Sequence, residues 1–208
     1  RPSEIIRTIG NVFMAEEKEI LTIINKEEYE ALHEKLGKVF SSSKRTRRLA
    51  IQCTDTTNDE LDTRIRISNK KVTLIQKAGK WKSKVREEIE IDLPNDADVV
   101  LNVFKMLRNM LRGEKVRTAV IQTDSLIFEN DDFEIKLTHQ FGRTDKYNAE
   151  IEVFNTETEP EEIAEKFNIP IRLPEQTAEF WDNWSKEVNF SADELLQEDL
   201  KKLIEGYL

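Results

Sequence analysis

The chain has 208 residues, enough for one large domain or a domain with a small appendage, and 41 acids against 32 bases give a net charge of −9. Such an acidic chain is not expected to coat nucleic acid non-specifically, because that binding neutralises many phosphates, although a locally basic pocket is compatible with it. No apolar run approaches the ~20 residues that span a bilayer and no apolar core of a signal peptide follows a charged start, so a cytoplasmic protein is expected.

Residues 1–15 admit a short helix over Ile5, Ile6 and Ile9. Successive side chains of a strand point to opposite faces, and residues 16–24 read as a strand with Glu17 and Glu19 on one side. Tyr29, Leu32 and Leu36 recur at helical spacing and predict a helix over 26–36 that Gly37 stops. Residues 41–48 read as a polar, basic loop. Strand-like runs follow at 48–54, 63–68 and 72–77, the last two joined by a tight Asn69-Lys70 hairpin. Arg64 and Arg66 share one face of their strand, with Ile65 and Ile67 on the other. Cys53, the single cysteine, excludes an internal disulfide and a cysteine metal cluster, and alternation makes it a small buried hydrophobe.

Residues 85–93 sort by parity into Val85, Ile89, Ile91 and Leu93 with Glu87 on one face, and Arg86, Glu88, Glu90 and Asp92 on the other. The apolar face must be covered by something. A helix over 97–112 begins after Pro94-Asn95-Asp96, carries Val100, Val103, Phe104, Leu107 and Leu111 as a stripe, and ends at Gly113. Strands are predicted at 115–122, 125–128, 133–139 and, after a loop at 142–146, at 147–154. In the last, Tyr147, Ala149, Ile151 and Val153 face one way, and Asn148, Glu150 and Glu152 the other. From 155 onward the text is acidic and helical: 160–167, then 175–188 with Phe180, Trp181 and Trp184 as a core cluster. A third helix follows, opened by a Ser191/Glu194 capping box and carrying Leu195, Leu196, Leu200, Leu203 and Ile204.

Three strands therefore carry paired glutamates at i, i+2 (Glu17/Glu19, Glu88/Glu90, Glu150/Glu152), and a fourth carries Arg64/Arg66. Charged residues make up 35% of the chain, so any one pair fits an ordinary solvated strand face. Taken together they leave a single shared charged face, which becomes a lumen of acids and bases if the sheet curls shut and a wet surface if it stays open. Parity does not distinguish the two. His33 and His139 are far apart in sequence, so a metal would be held by carboxylates, which favours Mg²⁺ or Mn²⁺ over zinc.

The ordered motifs resemble those of the triphosphate tunnel metalloenzymes, the CYTH superfamily. Glu17-Lys18-Glu19-Ile20-Leu21 is similar to the family's first-strand Glu-x-Glu-x-Lys. Gln52-Cys53-Thr54-Asp55-Thr56 and Leu61-Asp62-Thr63-Arg64-Ile65-Arg66 match its Asp-Thr turn and Arg-x-Arg strand. A lysine-bearing strand at 73–77, Arg86-Glu87-Glu88-Ile89-Glu90, Lys115-Val116-Arg117 and Ala149-Glu150-Ile151-Glu152 complete the series over residues 16–154. The resemblance implies an α+β fold, a closed eight-stranded antiparallel β-barrel in residues 1–154 with surrounding helices; the helical text of 155–208 is expected to pack on it as a C-terminal extension.

It also implies divalent-metal-dependent hydrolysis of inorganic tripolyphosphate, a nucleoside triphosphate or triphosphate-ended RNA, or in one branch cyclisation of ATP. Arg64, Arg66, Lys77, Arg86 and Arg117 would bind phosphate, and a subset of Glu17, Glu19, Glu88, Glu90, Glu150 and Glu152 would hold Mg²⁺ or Mn²⁺. Glu88, Glu90, Arg64 and Arg66 would be the catalytic set. One departure stands out: Leu21 occupies the place of the motif lysine, and Lys18 has the wrong parity to replace it. Either Ile75 or Lys77 takes the family's next lysine position. These departures keep a non-catalytic phosphate-ligand binding protein on the same fold as an alternative, beside an adenylyl cyclase and a plain acidic interaction protein. A homodimer is left open.

Overall fold

Alternation of apolar and polar side chains along eight segments gives each strand one face that must be buried, and helices supply the cover. The computed structural model describes residues 18–55, 61–78, 87–111, 116–154, 157–172 and 178–208. In chain order they form β1 (Lys18–Ile24), α1 (Lys26–Val39), β2 (Lys44–Asp55), β3 (Leu61–Ser68), β4 (Lys71–Ala78), β5 (Glu87–Leu93) and α2 (Ala97–Met110). There follow β6 (Val116–Glu129), β7 (Phe133–Phe141), β8 (Asp145–Val153), α3 (Pro160–Phe167), α4 (Ala178–Val188) and α5 (Gln197–Glu205). The expected helix over 1–15 lies outside the described residues.

The strands make one antiparallel sheet in the order β1-β8-β7-β6-β2-β3-β4-β5. It curls into a tunnel-like trough, but among the described residues no hydrogen-bonded ladder joins β1 to β5, so the expected barrel is not closed there. Two apolar clusters occupy the convex side. One joins Leu49, Ile51, Ile65, Ile67 and Val72 of the sheet to Val100 and Phe104 of α2 and to Leu200, Ile204 and Tyr207 near the C-terminus. The other joins Ile135, Leu137, Ala149 and Ile151 to Leu32 and Leu36 of α1 and Ile163 and Phe167 of α3. Each fully buried isoleucine contributes about 1.5–3 kcal/mol. The convex face of β5 is the exception, for Ile89 and Ile91 stay exposed.

Local signals explain most boundaries. Asn69 (φ 51°) and Lys70 (φ 64°) are both left-handed, as a two-residue hairpin of the primed type requires. Asn25 and Glu28 form a reciprocal capping box at the start of α1. Four expectations need correction. Gly37 does not stop α1: open space surrounds it, and the helix continues until Phe40 turns its ring onto Phe128, Phe133 and Phe167. The supposed loop before residue 48 is the first part of β2, with Arg45 bound across the ladder to Asp124. That pairing also makes β6 one continuous strand where two were expected. Ser191 and Glu194 form an isolated turn tied to Thr118, and α5 starts later, after Leu196.

No described helix is long and apolar enough to cross a membrane. The segment after α3 is tied to α1 by a two-pronged bond from Arg172 to Glu28, at 2.7 and 2.6 Å. Arg172 first, and then the Asn25 backbone N–H, hold the Glu28 carboxyl down at about 2, against an ordinary 4.5. A carboxyl depressed in the folded state adds stability that is complete above its unfolded pKa and is lost as pH falls through the folded one. Glu28→Gln should therefore lower the melting temperature at neutral pH and flatten its decline between pH 4.5 and about 2, followed by circular dichroism.

Candidate functional site

Strand register decides which charges meet. Gln52 pairs with Arg64, Arg64 with Ile75 and Ile75 with Glu90, so these four share the concave face of β2, β3, β4 and β5. The neighbouring row on one side runs Ala50, Arg66, Thr73, Asp92, and on the other Asp62, Lys77, Glu88. On the far side of the trough, Glu19 pairs with Glu152, which pairs with Glu134, and Leu21 pairs with Glu150, which pairs with Lys136. The two-residue repeat thus delivers one continuous charged face.

Opposite charges have already found one another there. Arg66 donates to Glu90 at 2.8 Å, Lys77 reaches Glu88 at 2.9 Å, and Lys136 reaches Glu150 at 2.8 Å. Arg64 is held by Asp62, which also accepts from Gln52 at 2.9 Å. Burial raises the Glu88 carboxyl, but Lys77, a hydrogen bond with Glu90 and the Arg66 charge outweigh it and hold it below the usual carboxylate range.

Of the residues expected in the site, Arg64, Arg66, Lys77, Glu88 and Glu90 are brought together around β3–β5. Glu150 and Glu152 lie across the trough, with Glu19 beside Glu152. Glu17 and Arg86 lie outside the described residues. The glutamates share a face without gathering: among the described residues no three His, Cys, Asp or Glu side chains are grouped to hold a metal. Leu21 points into the trough in register with Glu150, while Lys18 points away from it, to Glu159. Ile75 and Lys77 both face the trough, Ile75 fully buried and Lys77 bound to Glu88.

No family model and no curated protein matches the chain in sequence. Solved structures match it in shape. A Bacillus halodurans protein described as a candidate adenylate cyclase superposes with a TM-score of 0.54 at 17% identity, covering 79% of this chain and 98% of that one. The fold is CYTH-like. A Hippeastrum protein taken for an adenylyl cyclase and described as having a dominant triphosphatase activity superposes at 0.50 and 16% identity, covering 80% and 95%.

Within this CYTH-like trough sit three residues that motif reasoning missed. Arg48 belongs to the concave face of β2, in register with Ser68 and Thr123, and its Nε is buried with no hydrogen-bond partner among the described residues. Thr54 Oγ1, on the same face of the same strand, is in the same condition. Glu134, half-buried beside Glu152, has its carboxyl raised first by burial, against the pull of Lys136. Arg48 and Thr54 already share one face of the strand expected at 48–54, but neither belongs to a charged pair at a spacing of two, so nothing in the sequence singled them out. Glu134 likewise stands outside any Glu-x-Glu pair.

One end of the trough is covered by α4. Trp184 donates to Gln140 at 3.1 Å, Glu187 takes Lys146 at 2.6 Å, and Asp182 takes Arg117. Gln140, Lys146 and Arg117 are all concave-face positions. A cavity of about 500 Å³ opens there, with Arg117, Asp182, Lys186, Arg143 and Glu194 in its wall; it lies beside α4, away from the Arg66–Glu90 pair. Of the expected aromatic core cluster, Trp184 is buried, while Phe180 and Trp181 are half-covered and stack edge-on. After α4 the chain runs along β6, where Val120 N–H donates to Phe190 O, and passes so close to Gly142 that a Cβ there would meet Val188 O at 2.4 Å. Gly142→Ala should displace this segment, lowering stability by about 1–3 kcal/mol and the melting temperature by several degrees, with a red-shifted tryptophan emission. An unchanged melt and spectrum would show that α4 is not seated in this way.

Proposed function

We propose that the chain is a divalent-metal-dependent phosphohydrolase acting on a triphosphate: inorganic tripolyphosphate, a nucleoside triphosphate or the triphosphate end of an RNA. The observation that carries this reading is the concave face of β3–β5, where Arg64, Arg66 and Lys77 stand beside Glu88 and Glu90. A triphosphate brings several negative charges, which planar guanidinium forks bind in pairs of hydrogen bonds. The triphosphatase activity described for the Hippeastrum protein of the same fold supports the same chemistry.

The residues fit a hard cation of a particular kind. Mg²⁺ is ordinarily held by one or two carboxylates together with substrate phosphates, so the Glu88/Glu90 pair suffices without a cage of three. When bound, Mg²⁺ or Mn²⁺ would supply Lewis-acid polarisation of a phosphoryl oxygen. Arg64 and Arg66 would orient the terminal phosphates and spread their charge, Arg86 and Arg117 would hold the rest of the chain, and Glu88 or Glu90 would position the attacking water. To do this Arg66 and Lys77 must exchange their present carboxylates for phosphate oxygens.

Phosphate release from all three substrate types, assayed with Mg²⁺ and with Mn²⁺, should detect turnover of at least one. The Glu88→Gln, Glu90→Gln double variant should abolish it, and Arg66→Ala should lower kcat/KM by about 10–100-fold. No release from any of them with either metal refutes the hydrolase.

Leu21 favours a second reading, a protein of the same fold that binds a triphosphate ligand without turning it over. An aliphatic side chain facing Glu150 removes a cation where the family motif places one. If the native chain binds tripolyphosphate but releases no phosphate over hours, Leu21→Lys should restore measurable hydrolysis. The Bacillus halodurans likeness makes ATP cyclisation the remaining alternative, separated by assaying the same incubations for cyclic AMP.

A further inference from the structure

Nearly every described cation on the concave face already holds a carboxylate: Arg64 has Asp62, Arg66 has Glu90, Lys77 has Glu88, and Lys136 has Glu150. Lys44, at the exposed start of β2, has none but stands in solvent. Arg48 differs from both kinds. It is half-buried in the middle of the trough, makes no ion pair among the described residues, and keeps a buried Nε–H with no acceptor. An unsatisfied charged donor is costly to bury, and such groups in a native protein call for a reason. Burial first, and then the charges of Arg66 and Arg64, pull its pKa down, with Glu150 pulling the other way. Register sets Arg48 diagonal to Arg66, with Arg64 two residues further along β3 on the same face, so three guanidinium groups share this part of the trough and one of them has an idle donor.

We propose that Arg48 completes a three-arginine anion site with Arg64 and Arg66, and that this site takes one phosphoryl group of a polyphosphate without a divalent metal. The class of anion rests on the triphosphate reading; the metal-free capture does not. A phosphate oxygen accepting from Arg48 Nε would satisfy the idle donor, and its charge would offset the repulsion among the three arginines. The hydroxyls of Ser68 and Thr123, directly in register with Arg48 on β3 and β6, flank the same spot and can add hydrogen bonds. Among the described residues Arg48 makes no ion pair and its Nε–H no hydrogen bond, which leaves that donor available to something that enters the trough.

The experiment is calorimetric titration of the full chain with inorganic tripolyphosphate in excess EDTA, on wild type, Arg48→Met and Arg48→Lys, together with thermal melts of the ligand-free proteins. Wild type should bind without metal. Arg48→Met should bind at least about tenfold more weakly. Arg48→Lys, which keeps the charge and loses the fork, should fall between. The ligand-free melting temperature of Arg48→Met should equal or exceed that of wild type, because a buried, unpaired and repelled charge has been removed. Arg48→Met binding like wild type, or a wild type that ignores tripolyphosphate in EDTA, overturns the proposal. So does a lowered ligand-free melt with unchanged affinity, the mark of a structural role. Arg48-dependent binding in a protein that releases no phosphate with any metal would sink the hydrolase and leave this site standing.

Discussion

Register is the constraint on which everything else in this molecule depends. Seven antiparallel ladders run through the sheet, and each sets concave-face positions opposite concave-face positions and convex opposite convex. A slip of one residue in any ladder would turn a strand's arginines or glutamates into the apolar clusters and its isoleucines into the trough. The convex clusters are therefore what aims the charges. Ile65 and Ile67, packed under α2, fix the direction of Arg64 and Arg66 as surely as any contact of the arginines themselves.

The aimed charges then compensate one another within a partly desolvated space. Ion pairs such as Arg66–Glu90 and Lys77–Glu88 keep the trough from unravelling by repulsion, and they also compete with any entering anion for the same donors. An anionic ligand gains most where that competition is absent, at Arg48. At the other end, Asp182 of α4 stands in for an anion against Arg117, so the C-terminal helices belong to the site as well as to the cores.

Much of this was legible in the linear text. The faces of residues 63–68, 85–93 and 147–154 followed from alternation alone, and the described part of each has that orientation. Glu88, Glu90, Arg64 and Arg66 were visible because charge repeated at a spacing of two on strands with firm apolar partners. The misreadings share a physical cause: polar residues that signal a turn in isolation were satisfied by a neighbour across the ladder. Arg45 with Asp124 turned a supposed loop into strand. The same happened at residues 123–124, where a break was expected inside β6. Gly37 failed as a stop because nothing nearby favoured ending the helix there.

What the amino-acid sequence determined by itself is which side chains share a face, because the two-residue period of a strand is a local property of the backbone. Which strands lie side by side, where the edges fall, which carboxylate each cation finds and which arginine finds none were decided only by the tertiary structure. Those outcomes depend on distances between segments far apart in the chain, and burial and pairing are properties of the assembled trough. Arg48 shows the difference: its parity is written in the sequence, but its isolation exists only once β3, β6 and β8 have closed around it.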